Sequence, residues 1–209
     1  MKVFVSWSGP RSNALAILIQ QWLRRVIQAV DPWISSDIDK GARWSDEVAA
    51  QLGASHVGII CLTTDNLGAP WIHFEAGALA KTSEARVCVL LLDVHPNDVP
   101  PTLAQFQHTL VNEQDLFKLA QTVNHVVRLR GERALDDAGL RQAFADQWPS
   151  LRDALGDLCH ASSLAATTKK FPIGGDRPFM RGRSPKFHQQ HSIVFTALLG
   201  NVSTSSATP

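Results

Sequence analysis

The residues best suited to chemistry are a tryptophan and a glutamate four positions apart, Trp71 and Glu75. They fall in the stretch 70–81, where Pro70 fits the first turn of a helix because no N–H is needed there. Helical spacing predicts one buried stripe, formed by Trp71, Phe74, Ala78 and Leu79. Glu75 falls within it, so its carboxylate must be protonated, hydrogen-bonded or placed at a cleft. The alternative is a glutamate at a helix boundary with its carboxylate in water.

The elements that position this helix alternate between strand and helix over the first 130 residues. Apolar, β-branched runs predict strands at Lys2–Ser6, Asp31–Ser36, His56–Thr63, Arg86–Asp93 and Phe106–Val111. The third and fourth runs are almost continuously apolar, which is typical of parallel strands buried on both faces. The pattern therefore predicts an α/β flavodoxin-like fold, a doubly wound five-stranded parallel sheet in the order 2-1-3-4-5.

Helical periodicity and charge divide the chain into three parts. Helices are predicted at residues 12–29, 45–52, 115–129 and 138–160, and Pro149 marks a point where the last could be interrupted. We expect a domain over 1–130, a C-terminal helical extension over 131–161 and a disordered basic tail over 162–209. Residues 161–209 carry a net charge of +5, whereas residues 1–160 carry a net charge of −4. This balance argues against nucleic-acid binding by the main body.

A ligand site is expected where the strand order reverses, outside the carboxyl ends of strands 1 and 3. The loops there are 6–9 and 63–70, and the loop 35–44 lies on the same edge. Together these segments supply the carboxylate of Glu75, the hydroxyls of Ser6, Ser8 and Ser36, and the indoles of Trp7, Trp44 and Trp71. One acid beside aromatic surface suits glycosyl transfer through an oxocarbenium-like transition state, with a leaving group that departs neutral and needs no general acid.

Two motifs carry a family resemblance. The segment Phe4–Ser8 (Phe-Val-Ser-Trp-Ser) resembles the first-strand box of TIR domains, and Trp71–Glu75 resembles the Trp-x-x-x-Glu element of TIR domains that hydrolyse NAD. Glu75–Leu79 (Glu-Ala-Gly-Ala-Leu) is similar to bacterial, anti-phage members. The resemblance implies cleavage of NAD to nicotinamide and ADP-ribose or a cyclic isomer, with NAD as substrate and no cofactor. Glu75 would be the catalytic residue, and the implied substrate-binding residues are Trp71, Ser6, Trp7, Ser36, Asp37 and Trp44.

The resemblance also implies partners and leaves alternatives open. Such enzymes complete their site by homotypic TIR–TIR assembly, and a downstream effector can read the product. A non-catalytic TIR scaffold and a nucleoside deoxyribosyltransferase-like enzyme are the alternatives. The loop after strand 2 has Asp37–Gly41 (Asp-Ile-Asp-Lys-Gly) where receptor TIR domains have Arg-Asp-x-x-Pro-Gly, which argues against adaptor-type signalling.

Composition limits the location. The longest strongly apolar run is the six residues Val87–Leu92, far short of the roughly 20 residues of a membrane span. The three cysteines are scattered, and Cys61 and Cys88 fall in apolar strands, which favours buried thiols over disulfides. We therefore expect a cytoplasmic protein without membrane contact and without a metal site.

Overall fold

The computed structural model describes residues 1–34, 50–70, 72–73, 76–77 and 86–168, with side chains up to residue 159. Five strands form one parallel sheet in the order β2-β1-β3-β4-β5. They are β1 (Lys2–Ser6), β2 (Asp31–Ile34), β3 (Val57–Thr63), β4 (Arg86–Leu92) and β5 (Gln107–Leu110). This topology confirms the flavodoxin-like α/β fold and the strand order predicted from sequence.

The strand boundaries follow from burial and backbone conformation. Every residue of β3 is buried, because β1 and β4 flank it and both faces are covered. The strand β4 ends one residue earlier than predicted, since Asp93 has a φ of 55°, a left-handed conformation that no strand can continue. The strand β2 ends at Ile34, and the rest of the predicted second strand lies outside the described residues.

Within the described residues the longer helical elements are α1 (Pro10–Val26), α3 (Glu113–Leu129) and α4 (Asp137–Thr168), and a short helix, α2 (Pro101–Ala104), precedes β5. Residues 50–54 are also helical, within and just beyond the predicted helix 45–52. The helix α3 starts two residues before its predicted beginning because Asn112 caps it, accepting a hydrogen bond from the Asp115 amide at 2.9 Å. The last residue of α3, Leu129, is followed by Arg130 and then by Gly131, a left-handed glycine with a φ of 70° that terminates the helix.

One face of the sheet, which we call the three-helix face, is covered by α1 and α3, and α4 packs on these two helices. Alternate strand residues point into it and form the larger apolar core. From the strands these include Val3, Val5, Ile59, Cys61, Leu90 and Leu92, and from the helices Leu15, Leu23, Leu116, Val123, Phe144 and Leu155. The helix α4 lies against both α1 and α3 on this side. The long amphipathic helices thus bury their apolar stripes on a single face.

The opposite face, which we call the second face, carries a smaller core. Intervening strand residues such as Ile60, Leu62, Val89 and Leu91 point to this side. Their partners include Leu103 of α2 and two residues of the Trp71–Glu75 region, Ile72 and Ala76. The five helical residues Pro70, Ile72, His73, Ala76 and Gly77 are called the 70–77 segment below. This segment is therefore part of the cover of the second face.

The C-terminal helix differs from its predicted form in two ways. It is continuous through Pro149, which lies inside α4, so the proline does not interrupt it. It also continues to Thr168, beyond residue 162, where the sequence places the start of the tail. The run of alanine, serine and leucine in 161–166 tolerates helical geometry, which accounts for the extension. Among the described helices, none combines the length and the apolar character that crossing a bilayer requires.

Candidate functional site

The strand order reverses between β1 and β3, so the loops that follow these strands meet at the carboxyl edge of the sheet. Ser6, the last residue of β1, is paired in register with Ile60 of β3 and is buried. Trp7 follows it, half-buried, and packs against the core of the three-helix face. Its indole N–H is buried and donates no hydrogen bond within the described part of the chain. Two predicted pocket residues therefore lie at the predicted edge.

The turn from β1 into α1 is built by backbone conformation and one serine. Gly9 has a φ of 91°, which L side chains rarely adopt, so glycine is required where the chain turns into the helix. The Ser12 hydroxyl accepts a hydrogen bond from the Ser8 amide at 2.8 Å and donates to the Ser8 carbonyl at 2.7 Å. Because Ser12 is fully buried, these bonds fix the first-strand loop.

The loop after β3 is fixed in a similar way by a buried asparagine. The Asn66 carboxamide accepts a hydrogen bond from the Thr63 amide at 2.7 Å and donates to the Cys61 carbonyl at 3.0 Å. The Asn66 carbonyl then accepts from Ala69 at 3.0 Å, and the Ala69 carbonyl from Ile72 at 3.1 Å. This chain of turns leads directly from β3 into the 70–77 segment.

Arg11, in the first turn of α1, connects the loops that follow β3 and β4. Its guanidinium forms an ion pair with Asp93, the residue that follows β4, and lies 3.4 Å from the Thr64 hydroxyl in the loop after β3. The Arg11 side chain is 14% exposed and that of Asp93 42% exposed. A cation in the first turn of a helix opposes the helix dipole, so Arg11 needs a nearby acid, and Asp93 supplies it. The ends of β1, β3 and β4 are thereby held together.

The 70–77 segment is anchored by two apolar side chains and one polar one. Ile72 is fully buried and Ala76 nearly so, and both pack in the core of the second face. His73 is half-buried and uses both ring nitrogens: Nε2 lies 3.1 Å from the Leu67 carbonyl and Nδ1 2.7 Å from the Thr102 hydroxyl. The segment is thus tied both to the loop after β3 and to α2.

Five of the seven predicted site residues lie outside the described residues. These are Glu75, Trp71, Ser36, Asp37 and Trp44. The site residues predicted from sequence do not include Arg11, His73, Asp93 or Thr102. A detectable signal existed for Arg11, since an arginine follows Pro10 at the start of a helix that has no acid in its first turn. The His73–Thr102 contact has no comparable local signal.

The cysteines of this region are structural. Cys61 and Cys88 are free and buried. Burial raises the pKa of the Cys88 thiol to about 11, although Arg86 opposes this rise. Burial also raises the pKa of Cys61. Neither thiol ionises near neutral pH, so neither is an activated nucleophile. Within the described ranges, no cluster of three or more His, Cys, Asp or Glu side chains could hold a metal ion.

A groove of about 510 Å³ lies away from the switch point, between β5 and α3. Basic and polar side chains line it, including Arg86, His108 and Lys118. Partial burial raises the pKa of Asp115 in its wall. Hydrogen bonds from Lys118, the Leu110 amide and Asn112, together with the Lys118 charge, outweigh burial and leave that pKa below its ordinary value. Neither of the two predicted site residues that the structure describes, Ser6 and Trp7, lines this groove.

The comparison with known families identifies the domain. Residues 3–126 match the family described as "TIR domain", which is more than half of the chain. The chain belongs to the TIR domain family. The matched range includes β1 from its second residue onward, the loop after β1 and all of the 70–77 segment. The carboxyl edge described above is therefore part of the TIR domain.

Other comparisons add little to this TIR domain. A search of curated proteins finds no match. Among solved structures, an azoreductase from Bacillus anthracis str. Sterne is similar with a TM-score of 0.35 and 10% sequence identity, over 69% of this chain and 96% of the azoreductase chain. That similarity is too low to support an argument about function.

Proposed function

We propose that this TIR domain cleaves the nicotinamide–ribose bond of NAD+. The observation that supports the proposal is the position of the described 70–77 segment, within whose bounds the Trp-x-x-x-Glu sequence falls. The 70–77 segment follows β3 through the Asn66 turns, at the edge where the order of the TIR sheet reverses. On a regular helix, at about 100° per residue, positions 71 and 75 fall on the flank of Ile72 and Ala76 opposite His73. In the proposal that flank borders the crevice.

The proposed reaction needs one carboxylate and a surface for the nicotinamide ring. The C1′–N bond breaks, its electron pair leaves with nicotinamide, and the ribose becomes oxocarbenium-like. Glu75 would stabilise this developing positive charge, and Trp71 would pack against the substrate. Attack of water at C1′ gives ADP-ribose and a proton, whereas attack by a nucleophile of the adenosine half gives a cyclic isomer. Nicotinamide leaves neutral, so no general acid is required.

The pocket would be completed by residues from the neighbouring loops. Ser6 and Trp7 lie at this edge, and the buried Trp7 indole N–H donates no hydrogen bond within the described part of the chain. The pocket proposed from sequence also includes Ser36, Asp37 and Trp44. No role is assigned to the thiols, whose raised pKa values argue against nucleophilic catalysis.

Self-assembly is the second part of the proposal. The strand β5 pairs with β4 alone among the described strands, so it is an edge strand, and Leu110 at its end is 37% exposed. An exposed edge strand beside a groove is suited to contact with another protein chain. We propose that a second copy of the chain binds at this edge. The exposed edge equally supports a scaffold that assembles without catalysis, and the TIR match favours both over a nucleoside deoxyribosyltransferase.

The biological role that we propose for NAD+ cleavage by this chain is cytoplasmic antiviral defence. It follows the similarity of Glu75–Leu79 to bacterial TIR domains that act against phage. In this proposal, loss of NAD+ or a nucleotide product read by a downstream effector carries the signal. Bacteria that express the wild-type chain should then survive phage challenge better than bacteria that express the Glu75→Gln variant.

The deciding experiment is an assay of nicotinamide release. The full chain is incubated with NAD+ from dilute to high concentration, with and without a crowding agent, and nicotinamide is followed by chromatography. We expect release that rises steeply with protein concentration. We expect Glu75→Gln to lower turnover by about 10²- to 10³-fold, the effect of removing one preorganised electrostatic contact, with an unchanged thermal unfolding midpoint.

Two outcomes would contradict this proposal. Absence of nicotinamide under every assembly condition would refute NAD+ cleavage and leave the scaffold. A Glu75→Gln variant as active as the wild type would refute the assigned catalytic role while leaving the activity. Trp33→Phe is a suitable control substitution, since Trp33 lies in β2 with its ring 5.4 Å from Phe4 and has no role in the proposed site.

A further inference from the structure

His73 is the polar member of the 70–77 segment, and both of its ring nitrogens are hydrogen-bonded. Nε2 lies 3.1 Å from the Leu67 carbonyl. A carbonyl oxygen only accepts, so Nε2 carries the proton of the neutral ring. Nδ1 is then an acceptor, and the Thr102 hydroxyl donates to it at 2.7 Å. The imidazole therefore has one fixed tautomer and a partner on each side.

These two partners belong to different parts of the chain. Leu67 lies in the loop that leads out of β3, whereas Thr102 lies in α2, 29 residues after His73. The other anchors of the segment, Ile72 and Ala76, are aliphatic. Aliphatic packing fixes depth but has no directional preference, and a helix held by two such residues can still rotate about its axis. Hydrogen bonds are directional, so the bonds of His73 fix the rotation.

We infer that His73 is a positioning residue for the proposed reaction. Its bonds hold the described residues of the segment in one rotational setting, and in the proposed function that setting positions the catalytic glutamate, which follows His73 by two residues in the sequence. The inference rests on the proposed function, because only NAD+ cleavage gives that glutamate a catalytic role. Displacement of a catalytic group by about 1 Å can lower turnover by about 10²-fold, so a polar contact remote from the reacting atoms can control kcat.

The matched variants are Thr102→Val and Thr102→Ser. Thr102 is exposed, so either variant is expected to fold. Valine keeps the shape and removes the hydroxyl that donates to Nδ1, whereas serine keeps the hydroxyl. We expect Thr102→Val to lower kcat for nicotinamide release by about 10-fold with little change in KM, and Thr102→Ser to remain close to wild type. Loss of kcat with rescue by serine would not arise from a merely structural role.

A second pair of variants tests the other bond. His73→Gln retains an amide that can donate to the Leu67 carbonyl, whereas His73→Phe removes both bonds and keeps a ring of similar size. We expect the kcat of His73→Gln to fall between those of wild type and His73→Phe. Equal kcat values for wild type and His73→Phe, with wild type active, would overturn the inference and leave the proposed function intact.

Amide hydrogen exchange makes the inference independent of activity. The amides of Ile72, His73, Ala76 and Gly77 are compared in wild type, Thr102→Val and Thr102→Ser. We expect faster exchange in the valine variant alone. If the wild type releases no nicotinamide in any state of assembly, the proposed function fails and the catalytic part of the inference fails with it. Unchanged exchange in Thr102→Val would overturn the positional part.

Discussion

The two faces of the sheet are covered in different ways. On the three-helix face, α1 and α3 bury long apolar stripes against alternate strand residues, and α4 buries its apolar residues on these two helices. On the second face, the described cover includes a four-residue helix, α2, and the short 70–77 segment. Local opening costs least where few apolar contacts must be broken. Among the described residues, the 70–77 segment is therefore held by fewer apolar contacts than the long helices of the three-helix face.

This difference gives a reason for the polar ties at the carboxyl edge. Within the described ranges, the second face is covered only by short helical elements, so directional bonds carry more of the orientation of the 70–77 segment. His73 is bonded to Leu67 and Thr102, and Asn66 is bonded to Thr63 and Cys61. A ligand or a second chain can change the orientation of a segment held by a few hydrogen bonds at a small cost in free energy. That property suits an activity that depends on assembly.

The largest expected effect comes from matching cavities in the two cores. Ile72 on the second face and Leu23 on the three-helix face are both fully buried. We expect Ile72→Ala and Leu23→Ala each to lower the free energy of unfolding by about 2–5 kcal/mol. Turnover per folded molecule should fall only in Ile72→Ala, because only that cavity lies under the proposed catalytic segment. Urea unfolding and nicotinamide release at saturating NAD+ measure the two quantities. A fall in turnover of equal size in Leu23→Ala would remove the functional distinction between the faces.

An intermediate effect is expected for the ion pair that connects α1 to the loops after β3 and β4. Arg11→Ala leaves Asp93 and Thr64 without their shared partner, so we expect a loss of about 1–3 kcal/mol in the free energy of unfolding. The matched control is Arg152→Ala, which removes an exposed ion pair to Asp153 at 2.8 Å and should cost about 0–1 kcal/mol. A double-mutant cycle with Asp93→Asn isolates the coupling. Equal losses for the two arginine variants would show that the edge is not held by Arg11.

The smallest effect is a difference in thiol reactivity. Cys61 and Cys88 belong to the three-helix core, and burial raises both pKa values, whereas Cys159 in α4 is only half-buried. We expect a maleimide at neutral pH to modify Cys159 in the folded chain and to reach the other two thiols only after unfolding. Mass spectrometry of time points distinguishes the three sites. Modification of Cys61 at the rate of Cys159 would mean that the three-helix face also opens locally.

The fold could be predicted because local and global signals agreed. The strands β1, β3 and β4 are apolar, β-branched runs, and β3 and β4 are too continuously apolar for anything but a central position. The one-residue difference at Asp93 arises from its left-handed backbone, which propensity does not reveal. The continuity of α4 through Pro149 is a tertiary effect, since packing against α1 and α3 outweighs the loss of one backbone hydrogen bond.

The site could be predicted only in part. The switch-point rule located its edge, and Ser6 lies there at the end of β1. The periodicity of 70–81 did not single out Ile72 and Ala76, because nearly every neighbour is apolar and several pairs with the same spacing compete. The ion pair at this edge could not be predicted from the sequence, because Arg11 and Asp93 are 82 residues apart and meet only through the topology of the sheet.

The docking of α4 has a practical consequence for anyone who isolates the domain. The family match ends at residue 126, yet Phe144 of α4 stacks on Trp148 with an interplanar angle of 11° and meets the edges of Trp22 and Phe117. A chain shortened to the family boundary would expose the indole of Trp22 to water and tend to aggregate. Because this cluster contains two tryptophans, a red shift of the tryptophan fluorescence of the intact chain would report that α4 has separated from α1 and α3.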